Sequence, residues 1–275
     1  MVTALSTYET YLVDIDNKIA HVRLNRPHKA NSLAQQGWDE LEAIFTMLDQ
    51  RSDVRVIVLS GEGKNFCAGI DLEMFAGMAQ QFDTKDEGRK REAMRDNVHR
   101  LQAPVNAIEN CRKPVLAAIH RACVGGAVDI ITACDMRYCT DDTFFSIEEI
   151  NIGMVADLGT LQRLPRLIGE GITRELAYTG RRMLADEAYQ RQLVNHVYAD
   201  KDTMMAHVMQ MASEIATKSP LSIRGTKQVL NYSRDHSVAD GLEYIAVWNA
   251  GMLISDDITE AMTAKLTGRN PQFED

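Results

Sequence analysis

Short β-branched runs alternate with segments of helical spacing up to about residue 150, and beyond residue 158 helical runs follow one another. Alternation of that kind restricts the first part of the chain to an α/β architecture, because each strand must be covered by the helix that follows it. Residues 8–15 and 19–24 read as strands joined by the short turn Asp16-Asn17-Lys18, a hairpin. Residues 36–49 place Leu41, Ile44, Phe45 and Leu48 on one helical face, and 54–59 form a short buried strand that ends in Ser60-Gly61-Glu62-Gly63. A long polar helix is expected over 87–112, stopped by Lys113-Pro114, then a strand over 115–119, a helix from Gly125, and strands over 136–140 and 143–146. The later helices are expected at 159–168, 171–180, 185–191, 203–218, 220–233, 238–254 and 257–267, with one strand at 195–198. The expected division is a core with the active site over 1–200 and a helical region over 201–275.

Composition narrows the function classes. A formal net charge of −9 disfavours non-specific binding to nucleic acid, so an anionic ligand must be held by local basic groups. The five cysteines (Cys67, Cys111, Cys123, Cys134, Cys139) are odd in number and contain no CxxC pair, which favours reduced thiols over a disulfide framework. The seven histidines show no HExxH or similar spacing, so no metal site is expected. No run of about 18 uncharged apolar residues is present, so no membrane insertion is expected. The first residues lack a basic and an apolar region, and the last do not read Ser-Lys-Leu; a cytoplasmic location is the resulting expectation.

Three carboxylates stand in apolar company: Asp129 within Gly125-Gly126-Ala127-Val128-Asp129-Ile130-Ile131, Glu149 after Phe144-Phe145-Ser146-Ile147, and Asp157 after Gly153-Met154-Val155-Ala156. Burying such groups is expensive unless they are paired or do chemistry, and apolar surroundings raise a carboxyl toward the range of a proton carrier. The glycine pair before Asp129 opens a helix and can present bare N–H groups to a negatively charged oxygen. Taken alone, Gly125-Gly126 also fits a packing device, and Asp129 also fits a structural carboxylate bonded to backbone N–H groups. Met204, Met205, Met209 and Met211 read as helix core. Asp135 and Arg137 read as a structural ion pair, and Cys67 as packing. The apolar residues of the last helices, among them Tyr244, Ile245, Val247, Trp248, Met252, Leu253 and Ile254, fit packing on another subunit or on the chain's own core.

Four segments together resemble the crotonase (enoyl-CoA hydratase/isomerase) family: Leu24 through Leu33, Phe66-Cys67-Ala68-Gly69-Ile70-Asp71-Leu72, His120 through Asp129, and Phe145 through Arg163. They fall in the family's order and spacing, so the resemblance covers nearly the whole chain. It implies a spiral of ββα units with a C-terminal helical oligomerisation segment, a homotrimer or homohexamer, and a fatty acyl-CoA thioester as substrate. It implies no metal or redox cofactor, CoA being part of the substrate. His28 and Lys29 would lie near the CoA phosphates or adenine, with a solvated basic turn as the plain alternative. Ala68, Gly69, Asp71 and Leu72 would line the thioester, and the N–H groups of Ile70 and Gly126 would form the oxyanion hole.

Hydratases of this family carry glutamate at the positions of both Asp129 and Glu149 and a small or neutral residue at that of Asp157. The set Asp129, Glu149, Asp157 resembles instead the Δ3,5-Δ2,4-dienoyl-CoA isomerases. The resemblance implies proton transfer by Glu149 and Asp157 during β-oxidation of unsaturated fatty acids, with Asp129 orienting them. The alternatives are an enoyl-CoA hydratase or Δ3-Δ2-enoyl-CoA isomerase with Asp157 incidental, and a non-catalytic crotonase-like binding protein. A nicotinamide oxidoreductase would rest on α/β alternation alone and lacks GxGxxG after the first strand.

Overall fold

The computed structural model describes residues 3–5, 8–74 and 86–275. Its main sheet has seven strands in the order β1-β2-β3-β4-β5-β7-β10: β1 (Thr3–Leu5), β2 (Tyr11–Asp16), β3 (Ile19–Leu24), β4 (Val56–Gly61), β5 (Val115–Ile119), β7 (Met136–Thr140) and β10 (His196–Tyr198). The expected hairpin is β2–β3, and its turn is tight because Asn17 and Lys18 both take positive φ, 49° and 66°. From β3 onward every pairing is parallel, with Ile19 opposite Val56, Ile57 opposite Val115, Leu116 opposite Met136 and Tyr138 opposite His196. A three-stranded sheet of β6 (Ala122–Val124), β8 (Phe144–Ser146) and β9 (Met183–Leu184) stands beside it.

Parallel strands must be covered on both faces, and β4 shows how alternate residues serve two cores. Ile57 and Leu59 join one cluster with Leu41, Ile44, Phe45 and Leu48 of helix α1 (Gln35–Gln50) and with Leu101, Val105 and Ile108 of α2 (Glu87–Asn110). Val56 and Val58 join the other, with Leu116, Ala118 and Tyr138, against Met204, Val208 and Ala212 of a helix over Lys201–Ala216. Met204 is fully buried there and Met205, Met209 and Met211 pack partly buried on the same core, as a core reading of these methionines requires.

The remaining helices are α3 (Gly126–Ala133), α4 (Thr160–Ile168), α5 (Glu170–Thr179), α6 (Ala185–Gln190), α7 (Lys201–Ala216), α8 (Pro220–Asp235), α9 (Val238–Met252) and α10 (Asp256–Thr267). Within this chain the apolar side chains of the last helices stay largely uncovered: Val247, Met252, Leu253 and Ile254 are all exposed, Ile254 almost completely. All five cysteines are free and buried. Asp135 and Arg137 serve structure, but not as a pair. Asp135 Oδ2 accepts from the Val115 N–H (2.7 Å) and from Lys227 Nζ (2.8 Å), while the Arg137 guanidinium donates to the carbonyls of Leu193, Ile131 and Cys134.

Candidate active site

The four segments singled out in the sequence are stitched to one another by backbone hydrogen bonds. Residues 26–33, which include a short 3₁₀ turn at Pro27–Lys29, are laced to residues 68–71: Ala68 N–H donates to the Ala30 carbonyl (3.0 Å), Leu33 N–H to that of Gly69 (2.8 Å), and Asp71 N–H to that of Leu33 (2.9 Å). The second segment is laced to the third by Phe66 N–H to the His120 carbonyl (2.8 Å), Cys67 N–H to Ala122 (3.0 Å) and Val124 N–H to Cys67 (3.2 Å). The third meets the fourth where Gly125 N–H donates to the Ser146 carbonyl (2.9 Å). Gly69 can sit this close to its neighbour only without a side chain: its φ is +88°, and a Cβ would lie 2.7 Å from the Val124 carbonyl oxygen.

This lacing leaves two N–H groups facing away from the ladders. In the Leu33–Ile70 bridge the bonds are made by the N–H groups of Leu33 and Asp71, so the Ile70 N–H points to the opposite side of its strand. Gly126 is the first residue of α3, where a helix has no internal acceptor for its N–H. Both sit at the junction of the second and third segments, and the dipole of α3 favours negative charge there.

The carboxylates gather beside this junction. Asp129 lies one turn into α3 and is buried; its Oδ1 accepts from the Thr160 N–H at the start of α4 (2.6 Å), and its Oδ2 is buried with no partner among the described residues. Burial, then the charge of Glu149, pushes the Asp129 carboxyl up to about 7, against the pull of the Thr160 N–H. Glu149 sits in the 3₁₀ turn Glu148–Ile152 with its carboxyl folded back on Gly125; its Oε2 is likewise buried without a partner. Burial raises its pKa, and the charges of Asp157 and Glu148 raise it further. Asp157 is half-buried and raised mainly by burial. Ile147 and Ile150, on either side of Glu149 in the chain, and Ala156, next to Asp157, line a cavity of about 370 Å³. Three carboxyls raised chiefly by burial, two of them also by a neighbouring site carboxylate, with two oxygens left unsatisfied, are equipped to accept and return protons.

The other expected site residues are placed less centrally. His28 and Lys29 are exposed on the 3₁₀ turn, and Lys29 pairs with Glu73 at 3.0 Å. Ala68 and Gly69 form the laced loop. The Asp71 carboxylate is turned inward, to Arg26 (2.9 Å) and to the Glu73 N–H (3.1 Å), so it shapes the loop instead of facing a ligand. Leu72 is exposed. Sequence reasoning passed over Asn31, buried, whose amide donates to the carbonyls of Glu62 (2.8 Å), Asn65 (2.8 Å) and Phe66 (3.1 Å) and whose oxygen accepts from the Arg26 N–H (2.9 Å). Its signal was a lone asparagine in a loop, which carries no spacing to read. Thr160, which contributes its backbone, and Gln102, whose amide donates to the Asp157 carbonyl (2.7 Å), gave no side-chain pattern either.

Comparison with known proteins bears on the same residues. The enoyl-CoA hydratase/isomerase family model matches residues 14–275. The chain belongs to the enoyl-CoA hydratase/isomerase family. It is 47% identical to the peroxisomal Δ(3,5)-Δ(2,4)-dienoyl-CoA isomerase of Arabidopsis thaliana over 97% of this chain and 96% of that one. It is 45% identical to the mitochondrial Δ(3,5)-Δ(2,4)-dienoyl-CoA isomerase of Homo sapiens over 94% of this chain and 79% of that one. Among solved structures, the enoyl-CoA hydratase from Bacillus anthracis superposes with a TM-score of 0.84 at 29% identity, covering 99% of this chain and 98% of that one. The fold is therefore the crotonase fold of the enoyl-CoA hydratase/isomerase family, with the expected C-terminal helices. These relatives correct the expectation of a cytoplasmic location, since they are peroxisomal or mitochondrial proteins. The expectation rested on the lack of a leader-like stretch and of a Ser-Lys-Leu ending, and compartment addresses are read by receptors from more than one kind of signal, so those absences assign no compartment.

Proposed function

We propose that this protein is an isomerase that converts 3,5-dienoyl-CoA to 2,4-dienoyl-CoA in the oxidation of unsaturated fatty acids. The observation that carries the reading is the trio Asp129, Glu149 and Asp157, raised in pKa and gathered beside two outward-facing N–H groups. The N–H groups of Ile70 and Gly126 hold the thioester oxygen, and the enolate that forms when C2 loses a proton is stabilised there; one such donor is worth about 2.7–4 kcal/mol in the transition state. Moving two conjugated double bonds requires a proton to leave C2 and another to arrive at C6, four bonds away. Glu149 serves C2 and Asp157 serves C6, while Asp129, held by the Thr160 N–H, sets their electrostatics. Ala68 and Gly69 line the thioester, and His28 and Lys29 meet the phosphates or adenine of CoA. The relay is complete with carboxyl groups, so turnover needs no metal or redox cofactor. The exposed apolar helices at the C-terminal end assemble the chain into a homotrimer or homohexamer.

The test is absorbance of the purified protein with 3,5-dienoyl-CoA, because the conjugated 2,4-dienoyl product absorbs at longer wavelength. Appearance of that band supports the reading. Hydration of a 2-enoyl-CoA, or a Δ3-Δ2 shift, without any dienoyl conversion would return the chain to the simpler activities of the family, and binding without turnover would make it a crotonase-like binding protein.

A further inference from the structure

The turn from Ala156 to Thr160 carries two of the site's parts at once: the Asp157 carboxyl and the Thr160 N–H that holds Asp129. Its placement therefore sets where the Asp157 carboxyl stands relative to Asp129. The turn is held from outside by one face of α2. Gln102, Asn106 and Glu109 are spaced four and three residues apart and so lie in a row along that helix. Gln102 Nε2 donates to the Asp157 carbonyl at 2.7 Å, immediately behind the carboxylate-bearing Cα. Arg163 of α4 fills the space between: its Nη1 reaches the Leu158 carbonyl (3.4 Å), and its Nη2 reaches Asn106 (2.8 Å) and Glu109 (2.7 Å). Gly159, at φ +131°, is what admits the guanidinium, since a Cβ there would collide with it. On the far side Arg234, at the end of α8, pairs with the same Glu109. Burial, the largest influence on Glu109, acts to raise its pKa, yet the two guanidinium groups outweigh it and hold the carboxylate ionised.

Apolar side chains would join α2 and α4 at least as firmly as this half-buried polar cluster. What they could not do is fix one backbone carbonyl at hydrogen-bond distance. We infer that Gln102 is a positioning residue for proton transfer at Asp157, with Arg163 and Glu109 bracing the same turn. The inference rests on the proposed dienoyl isomerisation. Gln102 moves no proton itself; it holds the backbone of the residue that returns one to C6. Glu149 is carried by a different segment, the 3₁₀ turn at Glu148–Ile152, so the step at C2 does not depend on this clamp.

Two substitutions test it: Gln102→Leu, which removes the donor, and Gln102→Glu, which keeps the shape and places an acceptor against the carbonyl. Each is measured for 3,5- to 2,4-dienoyl conversion, for exchange of the substrate C2 proton with solvent deuterium, and for thermal unfolding. The expected result is a fall in kcat of about tenfold or more with KM within about twofold, the scale at which small misplacements act. C2 exchange should stay within about twofold of wild type. Loss of exchange and conversion in equal proportion, or loss of neither, would overturn the inference, as would failure of both variants to fold, which would make Gln102 a stability residue only. The unaltered protein separates the two ideas. No dienoyl conversion by wild type removes the proposed function and the inference with it, whereas equal conversion by wild type and both variants removes the inference alone.

Discussion

Asp129 is neutral-leaning in the fold and fully ionised in the unfolded chain at neutral pH, and the sign of that difference has a measurable consequence. Its carboxyl is raised from the ordinary aspartate range to about 7, so between about 4 and about 7 the folded protein binds more protons than the unfolded one. Stability must then fall as pH rises through that window, by an amount on the order of a few kcal/mol. Asp129→Asn keeps an oxygen to accept from the Thr160 N–H and removes the charge, so it should be more stable than wild type at pH 7 and lose the slope across that window. Equal slopes in urea titrations of the two proteins would show that the site does not hold Asp129 protonated. Asp157→Asn speaks to chemistry. It should lower dienoyl conversion by at least about 10²-fold, the usual worth of a general acid or base, while C2 exchange survives; exchange should be lost in Glu149→Gln instead. A folded Asp157→Asn protein with undiminished conversion would remove the two-carboxylate relay. The backbone donors are harder to delete. Gly126→Pro would abolish the N–H, but a Cβ at Gly126 meets the Trp38 ring at 3.0 Å, so that substitution would disturb packing as well as the proposed oxyanion hole.

Between elements, the tie most open to test joins the C-terminal helices to the sheet. Lys227 of α8 is almost wholly buried against Asp135 and the Lys113 carbonyl, at the point where β5 and β7 begin. Removing one partner of a fully buried pair costs about 3–5 kcal/mol; Asp135 keeps about a quarter of its side chain in water, so Lys227→Ala should cost on the order of 2 kcal/mol. A chemical-denaturation midpoint unmoved by Lys227→Ala would show the tie to be incidental. This contact also shows what the sequence could carry. The hairpin, the parallel strands β4, β5 and β7 and the helices α1, α2 and α4–α10 were legible within a few residues, because buried runs and 3.6-residue periodicity are written in side chains. The strands β6 and β9 were not expected, and each is formed by pairing with β8, a contact between segments distant in sequence that no local pattern marks. Asp135 and Arg137 were read as an ion pair at a strand entrance, but Asp135 stands just before β7 and is taken by Lys227 of α8 and the Val115 N–H, while the Arg137 guanidinium is taken by the carbonyls of Ile131, Cys134 and Leu193, partners distant enough that local sequence does not mark them. The carboxylates of the site could be seen as misfits in apolar company. Asn31, Gln102 and the Thr160 N–H could not, since their work is done toward backbone atoms that no sequence pattern marks.

At the scale of the whole molecule, the uncovered apolar side chains of α9, α10 and the bend that joins them predict assembly. Sedimentation at micromolar concentration should give a trimer or hexamer, and replacing Val247, Leu253 and Ile254 together by Asp should shift it to monomer; a wild-type monomer would leave those side chains without a purpose. The buried cysteines have a different use. Cys67, Cys134 and Cys139 are pushed up to about 12 and Cys111 to about 11, chiefly by burial, so none presents a thiolate to solvent at neutral pH. A thiol reagent added to the native protein therefore has nothing to label until the chain opens. Cys111 sits at the exposed end of α2, Cys67 and Cys123 bridge the two site loops, and Cys139 lies within the parallel sheet. The order in which a mass spectrometer finds them modified is a clock of how the molecule comes apart: the helix end first, then the loops of the site, and the sheet only with global unfolding.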